Sequence, residues 1–280
     1  MTVLEVLQST TGYFQKHNIE SPRLNAEHLL AHVLGRKRIE LYLEFERKLN
    51  ESELAPLRDL VKRRAEGEPL QHLLGTVEFC GHTFVCDKRA MVPRPETEQL
   101  IELLISNFKS EIAHSRVVDV GTGSGVIALS LAAEFPEAEI VAADISEDAL
   151  ALARENAERL RLADRVRFLK SNLLENIEGV FDLIAANLPY ISTEERQTLS
   201  REVLHDPEVA LFGGVGGDEL VRELIAQARS RLRPGGTLAL EIGIGQSEAL
   251  VEALTEKNYR DIWMKNDYSG VTRFLFARYG

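Results

Sequence analysis

The sequence is poor in cysteine, in positive charge and in long apolar runs, and each shortage argues against a class of protein. Two cysteines in 280 residues, Cys80 and Cys86, cannot staple a disulfide-rich secreted scaffold. A single disulfide across the intervening Gly-His turn is the alternative, but free thiols of a cytosolic protein are favoured. Lysine and arginine total 33 against 44 aspartates and glutamates, a net charge of −11 that disfavours a broad duplex-DNA footprint.

The sequence also has few features of a membrane protein or a metalloprotein. No apolar run approaches membrane-spanning length, and Glu5, Lys16 and Glu20 stand in a helical pattern that does not fit a signal peptide. The seven histidines show no spacing typical of metal ligands, so no metal site is predicted. We therefore expect a cytoplasmic protein that contacts no membrane.

Residues 1–75 follow an all-helical pattern. The first helix is marked by residues three or four positions apart: Val3, Val6, Leu7, Thr10 and Phe14. Ser21 and Pro22 suit the N-cap and first position of a second helix, which Gly35 ends. A further helix stops near Gly67. The pattern predicts a small helical bundle that serves recognition or support.

Residues 76–92 and 93–280 differ from the bundle and from each other. Residues 76–92 surround the turn Gly81-His82, and their pattern predicts a β-hairpin linker. In residues 93–280, a helix over about 96–108 precedes strand-like runs that alternate with helical stretches: Val117–Val120, Ile140–Ala143, Val166–Leu169, Phe181–Ala186, Thr237–Ile242 and Phe274–Ala277. This alternation predicts an α/β fold, a Rossmann-like, mainly parallel sheet with helices on both faces. The loop at 266–270 predicts an antiparallel final strand.

A glycine-rich turn follows the first of these strands and opens a helix. It reads Asp119-Val120-Gly121-Thr122-Gly123-Ser124-Gly125. Glycines let backbone N–H groups approach a ligand at a helix N-terminus. The spacing G-x-G-x-G differs from the G-x-G-x-x-G of dinucleotide enzymes, which argues against a nicotinamide dehydrogenase. We predict that residues 121–125 bind a cofactor; a tight strand–helix turn without a ligand is the alternative.

Polar residues end the next two strands. Asp144 stands about 20 residues past the last glycine, where a carboxylate can accept both hydrogens of a ribose diol. The alternative is that Asp144 or Ser146 caps the following helix, and both roles are compatible. After the next strand, Asn172 can contact an adenine amino group and Leu173 can cover the ring, with loop capping as the alternative.

The tetrapeptide Asn187-Leu188-Pro189-Tyr190 ends the run 181–186 and predicts nitrogen methylation. An amide nitrogen is a poor nucleophile that no ordinary side-chain base deprotonates at neutral pH, so the practical route is positioning and electrostatics. The Asn187 side-chain carbonyl and the Leu188 backbone carbonyl can each accept one N–H of a planar –NH2 group. Tyr190 offers a wall for the substrate, and Pro189 keeps Leu188 extended. An ordinary turn after a strand is the alternative.

Together these motifs resemble the HemK/PrmC family of S-adenosylmethionine-dependent methyltransferases, which modify the glutamine of the Gly-Gly-Gln motif in peptide chain release factors. The resemblance covers almost the whole chain, through Glu68–Gly75, Val92–Glu98, Gly121–Gly125, Asp144, Asn187–Tyr190 and Pro234–Gly236. It implies S-adenosylmethionine as the cofactor, S-adenosylhomocysteine as its product, and Asn187 at both the cofactor and the substrate. It also implies that the bundle docks the release factor.

Two positions depart from the family's pattern. Its usual tetrapeptide has proline where this chain has Leu188, and because the contact there resembles a backbone one, leucine keeps the acceptor. The position of Asn172 is often aspartate in related enzymes; asparagine still accepts from adenine but carries no charge. Glu96 and Glu98 either border the cofactor's methionine end, as the resemblance suggests, or favour a helix dipole. Glu241 either faces the site or is exposed.

Three other functions compete with glutamine methylation. An adenine-N6 or guanine-N2 nucleic-acid methyltransferase can use an Asn-x-Pro-Tyr tetrapeptide in the same way. Base-flipping enzymes, however, need basic and aromatic contacts to the nucleic-acid strand. The negative net charge and the small bundle argue against such a partner. A non-catalytic binding module, with Leu188 as a sign of decay, conflicts with intact Gly121–Gly125, Asp144 and Asn187. A dehydrogenase lacks a set of hydride-transfer residues.

Overall fold

The computed structural model describes all 280 residues, and the chain divides into two compact units. The first unit comprises Met1–Thr76 together with Ser200–His205. The second comprises Val77–Leu199 and Asp206–Gly280. Each unit has its own apolar core.

This division differs at two places from the predicted bounds of 1–75, 76–92 and 93–280. From Val77 onwards the hairpin belongs to the second unit and does not stand apart as a linker. Residues 200–205 belong to the first unit, although they lie far along the chain. The sequence offered no signal for this excursion, because it depends on side chains that are distant in sequence.

The first unit is helical, as predicted. Its α-helices are α1 (Val3–Lys16), α2 (Pro22–Leu34), α3 (Arg38–Leu41), α4 (Glu51–Ala65) and α5 (Leu70–Leu74). Helix α1 starts at a capping box in which Thr2 accepts from the Glu5 N–H and Glu5 accepts from the Thr2 N–H. The apolar stripe of α1 is buried, which confirms its predicted periodicity.

The start of α2 differs in detail from its prediction. Pro22 is the first helical residue and Gly35 ends the helix at φ +60°, both as predicted. Ser21, however, adopts a left-handed conformation at φ +48° and makes no side-chain cap, so its predicted N-cap role is wrong. Instead the Ser21 backbone carbonyl accepts from both the backbone and the side-chain amide of Asn25.

Arg64 joins the 200–205 segment to the first unit. The side chain is buried, and Nη2 donates to Glu202 Oε2 at 2.7 Å. Nε donates to Asn25 Oδ1 at 2.7 Å, and Nη1 donates to the Glu68 carbonyl at 3.0 Å. A buried guanidinium is tolerated when its donors are paired in this way. The segment therefore supplies a partner that the buried Arg64 needs, and Arg64 in turn holds the segment on the first unit.

The second unit carries all eleven strands and the remaining helices. Its strands are β1 (Thr76–Phe79), β2 (His82–Val85), β3 (Arg116–Val120), β4 (Glu139–Asp144), β5 (Val166–Lys170), β6 (Phe181–Asn187), β7 (Ile191–Ser192), β8 (Phe212–Gly214), β9 (Leu232–Glu241), β10 (Tyr259–Asn266) and β11 (Thr272–Tyr279), the first residue of β1 belonging to the first unit. Its helices are α6 (Pro95–Ile112), α7 (Val126–Glu134), α8 (Glu147–Leu160), α9 (Glu219–Ala228) and α10 (Ser247–Glu256). Strands β1 and β2 form the predicted hairpin.

A seven-stranded sheet in the order β10-β11-β9-β6-β3-β4-β5 forms the centre of this unit. All pairs between β9 and β5 are parallel, and β11 is antiparallel to both β9 and β10. The strand order reverses between β3 and β6, which makes their carboxyl ends the topological switch point. The α/β fold and the antiparallel final strand are therefore as predicted.

Helices cover both faces of this sheet. Because successive residues of a strand point to opposite faces, Val117 belongs to the core beneath α6 and α7, and Val118 to the core beneath α9 and α10. On the first face, Trp263 stacks on Phe276 with ring centroids 4.0 Å apart, so this half-buried tryptophan packs against the core. With both faces covered, the strand ends are where a ligand can reach the sheet.

Some element bounds differ from those predicted. Helix α6 begins at Pro95 and runs to Ile112, because its apolar stripe continues through Phe108 and Ile112 into the core. Strand β10 had no distinct run in the sequence: its residues are mostly exposed or half-buried. The glycine-rich segment 212–217 starts as β8, which pairs with β7.

The expectations from composition have structural counterparts. Cys80 and Cys86 are free thiols, as predicted, and burial raises the pKa of Cys80 to about 11 and that of Cys86 to about 12. None of the ten α-helices is long and apolar enough to cross a membrane.

Asn156 fixes the hairpin and the glycine turn to α8. This fully buried side chain accepts from the Val85 N–H at 2.6 Å and donates to the Val85 carbonyl at 3.2 Å. It also donates to the Ser124 carbonyl at 2.9 Å. One amide therefore satisfies three backbone groups of two segments that are distant in sequence.

Replacing Asn156 by alanine should lower the free energy of unfolding by about 2–3 kcal/mol, because buried backbone groups lose their partners. Urea denaturation followed by the fluorescence of Trp263, the single tryptophan, measures this in the second unit. Glu158→Ala, at an exposed position of the same helix, is the control and should change stability by less than about 0.5 kcal/mol. Equal stability of the two variants would contradict the assigned role of Asn156.

Candidate active site

A cavity of about 240 Å³ opens at the carboxyl ends of β3, β4, β5 and β6. One water occupies ~30 Å³, so the cavity admits an organic ligand. Several predicted site residues line it: Gly121, Thr122, Gly123, Ser124, Asp144, Asn172, Leu173, Asn187, Leu188 and Pro189. Gly125 and Tyr190 do not line it. The structure thus brings together residues that are up to 68 positions apart in sequence.

The glycine turn adopts a conformation that needs glycine. Gly121, Gly123 and Gly125 have φ values of +73°, +55° and +87°. A Cβ on Gly121 would lie 2.8 Å from the Leu188 side chain, so the tetrapeptide packs directly on the turn. A Cβ on Gly125 would approach Ala153 within 3.1 Å, so this glycine serves the packing of α7 against α8.

Asp119, at the end of β3, holds this turn from beneath. Its Oδ2 accepts from Thr122 Oγ1 at 2.6 Å and from the Ala128 N–H at 3.1 Å. The side chain is completely buried, and this burial raises the pKa of Asp119 to about 7. Asp119 therefore shapes the turn from the core and does not line the cavity.

Asp144 also binds the turn, and Ser146 caps the following helix. Asp144 Oδ2 accepts from the Gly123 N–H at 2.9 Å, and Oδ1 accepts from the Ser146 N–H at 2.9 Å. Ser146 Oγ accepts from the Ala149 N–H, so the cap is Ser146. Each Asp144 oxygen keeps a lone pair for a ligand. Burial raises the pKa of Asp144, with backbone hydrogen bonds opposing the rise.

The loop after β5 combines capping and cavity lining in different residues. Ser171 Oγ accepts from the Asn176 N–H at 3.1 Å, which is the loop-capping role. Asn172 Nδ2 donates to Glu175 Oε1, so its amide nitrogen is used within the loop. Leu173 is buried at φ +47° and lines the cavity.

Asn187 is the last residue of β6, and its two amide atoms differ in their surroundings. Nδ2 donates to Thr97 Oγ1 at 3.0 Å. Oδ1 is buried and has no hydrogen-bond partner. A buried acceptor without a donor costs about 1–3 kcal/mol, which suits an atom that a ligand satisfies.

Tyr190 stands behind the cavity. Its carbonyl accepts from Gln246 Nε2 at 3.0 Å, and the Arg273 guanidinium lies 5.7 Å from its ring centroid. Burial raises the pKa of Tyr190, so its hydroxyl stays protonated. The predicted role of Tyr190 as a wall for the substrate stays a prediction.

Sequence reasoning missed Thr97 and left Glu241 undecided. Thr97 lines the cavity from the first turn of α6 and donates to Glu241 Oε2 at 2.8 Å. Glu241 is buried, not exposed, and its burial raises the pKa to about 7. The sequence feature that could have identified Glu241 as a site residue is its position at the end of a strand. Glu98 accepts from the Cys80 N–H at 2.6 Å, and neither Glu96 nor Glu98 lines the cavity.

Two family models match the chain. One, the PrmC N-terminal domain, matches residues 5–75, and the other, the methyltransferase small domain, matches residues 87–214. A release factor glutamine methyltransferase of Geobacter sulfurreducens is 40% identical over all of this chain and 97% of its own length. One of Deinococcus radiodurans is 39% identical over 99% of each chain.

The chain belongs to the release factor glutamine methyltransferase family. It is an enzyme that uses S-adenosylmethionine as its cofactor. Among solved structures, the ribosomal protein L11 methylase of Lactobacillus delbrueckii subsp. bulgaricus is similar in fold, with a TM-score of 0.52 and 24% identity. That match covers 69% of this chain and 84% of the methylase.

The residues at the cavity suit this cofactor. The glycine turn is a cradle that a Cβ at Gly121 would obstruct, and Asp144 has lone pairs that can accept hydroxyl hydrogens. Leu173 and Ile145 add apolar surface. The cavity thus presents a close backbone approach, a carboxylate and apolar walls, which fit a nucleoside.

Gly121→Ala should weaken cofactor binding about tenfold or more, because the new methyl group displaces Leu188 and strains the turn. Isothermal titration calorimetry with S-adenosylmethionine measures the change in Kd. Gly235→Ala is a matched control: its φ of +79° is similar, but no atom lies within 4 Å of the added carbon. If both variants bind the cofactor as the wild type does, the contact with Leu188 has no part in shaping the site.

Proposed function

We propose that this protein transfers the methyl group of S-adenosylmethionine to the side-chain nitrogen, N5, of the glutamine in the Gly-Gly-Gln motif of peptide chain release factors. The observation that carries the proposal is Asn187: one of its amide atoms is held by Thr97, and its carbonyl oxygen is buried without a partner beside the glycine turn. The family membership supports the same substrate.

The cofactor's nucleoside end is assigned to the glycine turn and the strand ends beside it. Gly121 and Gly123 have no side chain, so the ligand can approach the turn closely, while the N–H groups of residues 121–123 donate within the protein, to the Ala143 carbonyl and to Asp144 Oδ2. Asp144 accepts from the ribose hydroxyls, Asn172 contacts adenine, and Leu173 covers the ring. When bound, S-adenosylmethionine supplies an electrophilic methyl group on a sulfonium.

Two carbonyl oxygens orient the substrate amide. Asn187 Oδ1 and the Leu188 backbone carbonyl each accept one N–H of the glutamine –NH2 group. This grip holds the nitrogen in place and concentrates electron density on it, so its lone pair faces the methyl group. Pro189 restricts Leu188 to extended geometry and keeps its carbonyl aimed. Transfer would form the nitrogen–carbon bond and break the sulfur–carbon bond of the cofactor, and one N–H proton would leave to solvent.

The cavity contains no general base for this proton. The ionisable side chains that line it are Arg89 and Asp144, and Asp144 is already bound to the glycine turn. Catalysis therefore rests on positioning and on the developing positive charge at nitrogen, which the two carbonyl oxygens stabilise.

The helical unit is assigned to recognition of the release factor. Its core is separate from that of the methyltransferase unit, and none of the predicted cofactor or substrate residues belongs to it. Around α3 it exposes two apolar side chains, Ile39 at 68% and Leu43 at 83%, which a protein partner can cover.

The direct test is incubation of the purified protein with a release factor and isotope-labelled S-adenosylmethionine. Peptide mass spectrometry should find one added methyl group on the Gly-Gly-Gln glutamine. A release factor with that glutamine replaced by glutamate is the matched control and should stay unmodified. Methyl transfer to RNA or DNA instead, under the same conditions, would establish the nucleic-acid alternative.

Asn187→Ala should lower kcat by about 10²–10³, because the substrate amide loses one of two orienting acceptors. The Kd of S-adenosylmethionine, measured by calorimetry, should stay within about threefold, since Asn187 acts mainly on the substrate amide. Equal losses in turnover and in cofactor affinity would show that Asn187 belongs to the cofactor site alone.

Leu188→Ala and Leu188→Pro both keep the backbone carbonyl, so each should retain kcat within about tenfold of the wild type. The alanine variant removes the side chain that packs on Gly121 and should therefore weaken the cofactor more than the proline variant does. Single-turnover kinetics separates the two effects. If both variants lose turnover as completely as Asn187→Ala, the Leu188 side chain is required and the backbone assignment is wrong.

A further inference from the structure

Three side chains from three elements form a buried chain of hydrogen bonds behind the cavity. Asn187 and Glu241 are direct partners in the parallel pairing of β6 with β9. Thr97, in the first turn of α6, donates to Glu241 Oε2 at 2.8 Å and accepts from Asn187 Nδ2 at 3.0 Å. Thr97 and Glu241 are each 2% exposed, so water does not compete with these contacts.

Which groups donate and which accept along these hydrogen bonds is fixed by the number of hydrogens available. An ionised carboxylate only accepts, so the single hydroxyl hydrogen of Thr97 is committed to Glu241. Thr97 Oγ1 can then only accept from its other neighbour. The Asn187 atom that faces it must therefore be the –NH2 group, which leaves Oδ1 as the free acceptor.

We propose that Thr97 and Glu241 are positioning residues that set which way the Asn187 amide faces, and thereby present its oxygen to the substrate –NH2 group. This inference rests on the proposed function, in which Asn187 Oδ1 accepts a substrate N–H. Neither residue touches the substrate nitrogen in this role; both act through Asn187.

If donors and acceptors are exchanged along these hydrogen bonds, the site no longer offers an acceptor to the substrate –NH2 group. A protonated Glu241 can donate to Thr97 Oγ1, which frees the threonine hydroxyl hydrogen for Asn187. The Asn187 oxygen then turns toward Thr97, and its –NH2 group faces the cavity. Two –NH2 groups facing each other offer no acceptor for the substrate hydrogens. Ionised Glu241 excludes this reversed arrangement, because a carboxylate has no hydrogen to donate.

The charges around Glu241 place this protonation near neutral pH. Burial raises its pKa to about 7, while Thr97, Arg273 and Asn187 oppose the rise and the negative charge of Glu96 adds to it. Tyr190 also faces this group and stays protonated, because its own pKa is raised. Turnover should therefore be present above this pH and fall as the pH drops below it.

The first arm of the test replaces Thr97 by valine, which has nearly the same shape but no hydroxyl. Thr97→Val should lower kcat by about 10- to 100-fold, because Asn187 loses its contact with Thr97 and keeps only its direct one with Glu241. The KM for release factor and the Kd for S-adenosylmethionine should stay within about threefold. Thr97→Ser, which keeps the hydroxyl, should restore most of kcat, and Thr255→Val on an exposed face of α10 controls for the substitution type.

The second arm measures kcat against pH from 5.5 to 9 in ~0.5-unit steps, fine enough to resolve a single titration. The wild type should lose turnover on the acid side, with a midpoint near the pKa of Glu241, about 7. Glu241→Gln offers Thr97 an acceptor oxygen that does not titrate, so its kcat should be lower but free of this acid limb. Glu98→Gln, at an acid bound to the Cys80 N–H, should keep the limb.

The outcomes separate this inference from the proposed function. If the wild type does not methylate the release factor, the proposed function fails. If the wild type is active and Asn187→Ala keeps full turnover, the proposed function stands, and the role of Asn187 and this inference are both wrong. If Asn187→Ala is inactive while Thr97→Val turns over like the wild type, the positioning role alone is wrong. Should thermal melting show that Thr97→Val is unfolded, the Glu241→Gln profile decides: loss of the acid limb supports the inference, and its persistence overturns it.

Discussion

The parallel register of β6 between β3 and β9 is the constraint on which the site depends. It pairs Asp119 with Ala185 on one side and Asn187 with Glu241 on the other. Because parallel strands end on the same edge of a sheet, the glycine turn and the tetrapeptide come into contact there. A shift of one residue would turn Asn187 to the opposite face of the sheet and separate it from Thr97. The chemistry is thus set by strand pairing as much as by the motif itself.

Local motifs made much of this molecule predictable. The glycine turn, the acid that ends β4 and the tetrapeptide are each recognisable within a few residues, and the strand–helix alternation sets the class of fold. The missed features all depend on distant partners. Thr97 contacts a glutamate 144 positions away, and residues 200–205 join the first unit through Arg64. Ser21 was misjudged because its carbonyl, not its hydroxyl, receives the amide of Asn25.

The site contains buried polar groups that lower the stability of the folded protein. Glu241 and Asp119 are carboxyls whose burial opposes ionisation, and Asn187 Oδ1 lacks a donor. Since the folded state of each acid binds protons more tightly than the unfolded chain, both acids reduce stability as the pH rises from about 4 toward 7. Such costs are typical of sites arranged in advance for a ligand, because the orientation is then complete before the substrate arrives.

The pair of acceptors at Asn187 and Leu188 also bears on how many times one nitrogen reacts. In the proposed geometry a primary amide satisfies both oxygens with its two hydrogens. Once methylated, the nitrogen has one hydrogen left, and turning it back into the site leaves one buried acceptor facing a methyl group, at a cost of about 1–3 kcal/mol. A glutamate side chain would bind still less favourably, because its carboxylate oxygens would face the two acceptor oxygens of Asn187 and Leu188. The same arrangement that activates the amide therefore limits the product to a single methyl group and promotes its departure.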